Sequence, residues 1–429
     1  MAMFNDSSKM MLPGDTQQAS TALAPYRLID LSDEKGALCT KLFADMGADV
    51  IKVERPEGDP TRRIGPFYHD IPHPENSLFW LNYNTGKRSI TLDIETEKGQ
   101  DILKNLAKSA DFLVECFPPG YLDSLGLGYL ALSHINRRII VTSISPFGQS
   151  GPYKDYKASD IVAMAMGGLM YTCGDTDRAP VRIGASQAYL QAGVQAAAAT
   201  MIAHYYRETT GDGQHVDVSM QECITLTLDT APQFWDLNEV ILRRGGVYRY
   251  RGNRVLRLVF PCKDGFIAGY VHPGTGFEDL VAWMASEGMA SDLIDEKWIG
   301  KTVGPGPQQL TAEEIRHVEE VVGDFLMAHT RAELYHEAQK RRILFCPVNT
   351  PADLFQDMQL RSREYFTEIE YPEVDDMIIY PGAPFKMSLT PWRICRRAPR
   401  LGEHNLDVYN QELGYSLAEL DSLKRAKVI

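Results

Sequence analysis

The stretch "YRLIDLSDEKGALCTKLFADMGADVIKVE", residues 26–54, reads as strand, helix, strand. Its first segment, "YRLIDL" (26–31), is a short apolar run. In "KGALCTKLFADMG" (35–47), Leu38, Leu42 and Phe43 fall on one helical face, and Gly47 supplies the stop. "ADVIKVE" (48–54) is apolar enough to be a strand buried on both faces. The pattern repeats downstream. "ETEKGQDILKNLAKSA" carries Ile102, Leu103 and Leu106 at helical spacing, and "DFLVE" (111–115) and "RIIVTSIS" (138–145) are further strands. Strands separated by helices of this length predict an α/β fold with a doubly wound parallel sheet.

From Asp160 the pattern turns helical. "DIVAMAMGGLMY" is followed by an alanine-rich run from Gly193 to Arg207, and "GQHVDVSMQECITLTLDTAPQFW" reads as a strand leading into a long helix. Residues 240–265 are basic and Gly-rich and mark the entry to a second, smaller domain. Residues 300–314 read as a linker within it. After about residue 350 strand-then-helix character returns. Residues 1–24 read as a flexible polar arm.

Composition narrows the class of protein. A chain of 429 residues has room for two or three domains. No apolar run reaches the length of a membrane span, and the N-terminus lacks the order of a signal peptide. Seven scattered cysteines, none in a C-x-x-C pair, predict reduced thiols in a cytoplasmic protein, without a disulfide framework or zinc site. A net charge of −13 with no basic stripe argues against nucleic acid as a partner.

Candidate chemistry gathers at the predicted strand ends. Glu54 could mimic the acidic ribose ligand of a dinucleotide site, but "SDEKGAL" stands where G-x-G-x-x-G is required. Arg62, Arg63 and Arg88 are of a type that grips phosphates, although each alone reads as readily as a surface charge. Asp160 reads as a helix N-cap, Asp175 as a solvated turn residue, and His215 as a packed strand residue. His404, in "GEHN", reads equally as a ligand-binding or a capping residue.

Taken in order, "LFADMGADVIKVERPEGDPTR", "YNTGKRSITLDI", "LGLGYLAL", "SPFGQSGPYKD", "YYRETTGDGQHVDVSMQE", "GAPFKMS" and "RRAPRLGEHNLDVY" resemble the class III CoA-transferases, whose superfamily includes the α-methylacyl-CoA racemases. The resemblance runs from about residue 25 to the C-terminus. It implies a Rossmann-like large domain built from residues 25–230 and 350–429, and a small α+β domain from 231–349. It further implies a ring-shaped chain in an interlocked dimer. Coenzyme A thioester is then a substrate, with no cofactor permanently bound. Arg55, Leu92, Cys116 and Lys157 fall at coenzyme-contacting positions, although Cys116 replaces the usual asparagine, Ser124 replaces a cation, and bulky Glu34 and Lys35 stand where small residues are usual.

In that family an aspartate attacks the acyl thioester, forms a mixed anhydride and then carries CoA as an aspartyl thioester. Only a carboxylate can do both. The position four residues before Gly193 holds this aspartate in the family and holds Tyr189 here. A phenol has no acyl carbon to bear CoA. The racemase pair fails too, since its His-Asp dipeptide reads Ser159-Asp160. The resemblance, closest in look to the benzylsuccinate-type transferases, thus implies the non-nucleophilic subunit of a heterodimer or heterotetramer, whose homologous partner carries the aspartate. Two alternatives stand beside it: a self-sufficient transferase using Asp160, and a non-catalytic protein that binds a CoA ligand.

Overall fold

The computed structural model describes residues 21–251, 254–304, 306–372 and 376–429. The proposed arm at 1–24 therefore falls almost wholly outside the described residues. The described residues form two compact units, one of 21–163, 186–223 and 364–429, the other of 164–185 and 224–363.

In the first unit six strands form one sheet: β1 (Arg27–Leu31), β2 (Asp49–Glu54), β3 (Arg88–Thr91), β4 (Phe112–Glu115), β5 (Ile140–Ser145) and β6 (His215–Ser219). All five pairings are parallel, in the order β3-β2-β1-β4-β5-β6. The connecting helices are α1 (Ala37–Asp45), α2 (Leu78–Tyr83), α3 (Glu97–Ala107), α4 (Tyr121–Ser124), α5 (Tyr129–Ile135), α6 (Asp160–Met166) and α7 (Gln187–Thr210). The sheet is doubly wound, as the strand-helix alternation predicts. On one face Ile29, Ile51 and Leu113 pack with Ile102, Leu103 and Leu106 of α3 and with Val408, Tyr409 and Leu420 near the C-terminus. On the other lie α1 and α7, which touch each other and the sheet. A Cβ on Gly193 of α7 would come within 3.0 Å of the Leu38 Cβ of α1. That close crossing sets where α7 begins relative to the strand ends.

The second unit holds a three-stranded antiparallel sheet (Val259–Cys262, Gly265–Gly269 and Phe345–Pro347) with the helices Phe277–Ser286, Ala312–Ala328 and Arg331–Arg341 around an apolar core of its own. Its character is α+β. One expectation fails here: the long helix after β6 is two short ones, Met220–Leu226 and Ala231–Asn238. Asp229 between them has a φ of 56°, and a proline opens the second. Left-handed backbone interrupts a helix, while proline favours a new first turn.

Burial of charge is the unusual feature of the sheet. Asp30 on β1 has no exposure, and its carboxylate accepts from Lys87 Nζ at 2.9 Å, with Lys52 Nζ at 3.7 Å. Lys87 also donates to Thr40 of α1 and to Asn84, and Lys52 pairs with Asp59 at 2.9 Å. Burial alone would raise the Asp30 carboxyl. The two ammonium groups overcome it and hold the group well below the usual carboxylate range. Removing one partner of such a cluster leaves a buried charge uncompensated. Lys87→Met is therefore expected to cost about 3–5 kcal/mol in urea unfolding, with much of the loss recovered in Asp30→Asn/Lys87→Met.

Candidate active site

The strand order reverses direction between β1 and β4. Connections leave these neighbours to opposite sides, so a crevice opens at their carboxyl ends, where ligands bind in sheets of this kind. The loop after β1 is held at both ends. Ser32 donates from its backbone N–H (2.9 Å) and its hydroxyl (2.6 Å) to Asp30 Oδ1. A Cβ on Gly36 would come within 2.8 Å of Cys116 Sγ, so the loop presses on the chain leaving β4. Between these points lie Asp33, Glu34 and Lys35, all half-buried, with Lys35 paired to Asp33.

Tyr189, in the first turn of α7, is 9% exposed. Its hydroxyl accepts the backbone N–H of Asp160 at 3.1 Å, and the backbone N–H of Ala188 donates to Asp160 Oδ1 at 2.8 Å. One oxygen of Asp160 thus holds the start of α7. Glu34, on the β1 loop, is near enough for its charge to act on the same phenol. Burial, followed by the nearby Glu34 charge, pushes the phenol up to about 12. Roughly one molecule in 10⁵ would be ionised at pH 7. Burial also raises the Glu34 carboxyl, with Asp33 adding to the shift. Glu115 ends β4 and accepts the Phe117 N–H at 2.6 Å; burial pushes it up to about 7. Cys116 beside it is buried, and burial raises its thiol well above the ordinary value, which keeps it inert.

A second cleft adjoins. Arg55 and Leu92 line it together with Phe117, Glu95 and Tyr121. Arg55 is largely exposed, its guanidinium 3.6 Å from the Glu95 carboxylate, which also accepts from the Tyr121 hydroxyl at 2.9 Å. So exposed an ion pair contributes little, and an arriving phosphate could displace it. Leu92 is buried and offers an apolar wall. Lys157 is exposed in the segment between β5 and α6. Tyr189 and Asp160 are thus brought together, as are Arg55 and Leu92.

Several other candidates are structural. Glu54 is buried and receives Arg62 bidentately at 2.6 and 2.9 Å, with Arg62 stacked on Trp80. It has no capacity left for a ribose. Arg88 pairs with Asp49 and Glu412, while Arg63 and Asp175 are exposed. His215 stacks on Tyr129 and bonds Ser143 Oγ at 2.9 Å. His404 Nδ1 accepts the Ser89 N–H at 3.2 Å, tying the C-terminal segment to β3. The contacts of Glu34 and Glu115 were missed in the sequence. An acid closing an apolar strand, as in "DFLVE", is the signal that could have marked Glu115.

The raised Glu115 carboxyl has a consequence for stability. Folded, it keeps its proton to about pH 7; unfolded, it loses it near its ordinary value of 4.5. The native state thus binds more protons in that window, and stability falls as pH rises through it. The urea midpoint of Glu115→Gln is expected to decline less between about pH 5 and about pH 8 than that of the wild-type chain. Equal slopes would refute the assignment.

The model of CoA-transferase family III matches residues 23–405. The chain is 37% identical over 405 residues to the succinyl-CoA:(R)-benzylsuccinate CoA-transferase subunit BbsE of Thauera aromatica, covering 93% of this chain and 96% of that protein. It is 30% identical over 420 residues to the succinyl-CoA–L-malate CoA-transferase beta subunit of Chloroflexus aurantiacus, covering 97% and 100%. A solved CAIB/BAIF family protein from Brucella suis superposes with a TM-score of 0.79 at 27% identity, over 91% of this chain and 99% of that one. The chain belongs to CoA-transferase family III.

Proposed function

We propose that this chain is the non-nucleophilic subunit of a heteromeric CoA-transferase. The observation that carries the reading is Tyr189: the family's acyl-bearing position holds a neutral phenol, held by the backbone N–H of Asp160. Two relatives of nearly full coverage are themselves named as subunits. Both names carry succinyl-CoA, which supports it as donor, and the first, at 37% identity, supports an aromatic succinate such as benzylsuccinate as acceptor.

In the complete enzyme a carboxylate of the homologous partner attacks the thioester carbonyl of the donor, and CoA leaves as thiolate. The thiolate then attacks the enzyme's own acyl carbon in the anhydride, releasing the donor acid and leaving an enzyme thioester. The acceptor carboxylate and the returning thiolate repeat the exchange in reverse. This chain supplies the scaffold, and Arg55, Leu92, Cys116 and Lys157 are its proposed contacts to coenzyme A. No permanently bound cofactor is needed.

Association with another chain has physical support. α7 leaves Val194, Ile202, Tyr205 and Tyr206 exposed, and the helix Ala231–Asn238 leaves Phe234, Trp235 and Leu237 exposed. Apolar surface of this extent marks interaction sites. An interlocked dimer of ring-shaped chains would cover it. Among the described residues no helix is long and apolar enough to cross a membrane.

A self-sufficient enzyme using Asp160 is less favoured, because that side chain is 6% exposed and one oxygen already holds the start of α7. Native mass determination of the protein purified with its neighbours tests the reading. A second polypeptide of similar size in equal amount is expected, and a fully active homomer would sink the proposal. Asp160→Asn, which preserves the cap, is expected to keep activity within about tenfold, the equivalent of roughly 1.4 kcal/mol; loss to background would identify Asp160 as the nucleophile.

A further inference from the structure

Two buried hydrogen bonds run in opposite directions between the starts of α6 and α7. The N–H of Asp160, in the first turn of α6, donates to the Tyr189 hydroxyl at 3.1 Å. The N–H of Ala188, in the first turn of α7, donates to Asp160 Oδ1 at 2.8 Å. The first turn of a helix leaves such donors without partners in its own ladder. Ser186, just before α7, makes no capping bond with its side chain. Each helix is instead served by a side chain of the other, a capping box divided between two helices. Tyr189 and Asp160 are 9% and 6% exposed, so water competes poorly for these donors.

Upstream of Asp160 the chain is exposed from Ser150 to Lys157. The far end of that loop is held at Gln149, whose N–H donates to both oxygens of Asp217 at 3.0 and 2.9 Å. In between, the Tyr156 N–H donates to the Tyr153 carbonyl, and the rings of Phe147, Tyr153 and Tyr156 lie in series at 5.9 and 5.2 Å. These contacts are local, so the loop takes its place from its two ends. We propose that Tyr189 is a positioning residue: its hydroxyl, by holding the Asp160 N–H, fixes the downstream end of the loop and with it Lys157. The phenol at the family's reactive position therefore has a task of its own. An aspartate is shorter by the length of the ring and would not span the same gap. The clasp stands without a partner chain; its effect on coenzyme A rests on reading Lys157 as a contact.

Tyr189→Phe keeps the ring and removes the one oxygen. In the assembly as purified, hydrogen exchange is followed by mass spectrometry in a peptide spanning 158–166, and binding of free coenzyme A is measured by calorimetry. Exchange in that peptide is expected to speed up by about tenfold, roughly 1.4 kcal/mol, while peptides of β1 to β4 keep their rates. Coenzyme A is expected to bind about threefold or more weakly, and Tyr189→Phe to add nothing in a Lys157→Ala background. Unchanged exchange around Asp160 overturns the proposal, and so do effects of Tyr189→Phe and Lys157→Ala that simply add. Should Lys157→Ala leave coenzyme A binding untouched, the coenzyme reading of Lys157 fails, and the exchange rate still decides the clasp. Should Tyr189→Phe fail to fold, replacement of Tyr189 by 3-fluorotyrosine decides. Its hydroxyl stays but accepts less well, so the same peptide is expected to exchange faster by a smaller factor. An equal rate refutes the clasp.

Discussion

Asp30, a carboxylate with no exposure, sits between the ammonium groups of Lys52 and Lys87, and the crevice takes its shape from that contact. Lys87 reaches Asp30 from just before β3 and also holds Thr40 of α1; Lys52 reaches it from β2 and holds Asp59. Three adjacent strands and one helix are thus fixed to a single point near the carboxyl end of β1. The same carboxylate then receives both donors of Ser32, which fixes where the loop leaves the sheet. A buried ionic cluster is an expensive way to gain stability, since desolvation opposes the Coulomb attraction. Here it specifies the position of a loop.

From that loop the logic of the site follows. The loop, held at Ser32 and Gly36, keeps Glu34 near enough for its charge to act on Tyr189, and Tyr189 stands where it does because α7 is pressed against α1 at Gly193. Burial makes the phenol a weaker acid still, so the residue at the family's reactive position acts as a hydrogen-bonding wall. The surrounding carboxylates do not offer an obvious replacement. Asp160 is engaged in capping α7, and Glu115 is buried and accepts from the Phe117 N–H.

Much of the sheet was legible in the sequence because parallel strands buried on both faces are near-continuous apolar runs. "ADVIKVE", "DFLVE" and "RIIVTSIS" each became a strand within two residues of the predicted bounds. The helix expected after β6 was not legible. Helical spacing continues through "QECITLTLDT", but the helix stops at Leu226, and the positive φ of Asp229 follows in the break before the next one. At the site, motif order located Tyr189 and Asp160, and a single hydrogen bond joins these residues 29 apart. The nearness of the Glu34 charge to Tyr189, and the sequestration of Glu54 by Arg62, depend on tertiary packing that no local pattern encodes. Charge on a strand end reads the same whether it awaits a ligand or is already paired.

The most direct measurement is chemical trapping of the intermediate in the active assembly. Hydroxylamine added during turnover with succinyl-CoA displaces CoA from any enzyme thioester and leaves a hydroxamate at the carboxylate that carried it. Peptide mass spectrometry then locates that residue. The account predicts a hydroxamate on an acidic residue of another polypeptide and none on this chain. A hydroxamate on Asp160, Glu34 or any other carboxylate of this chain would contradict it.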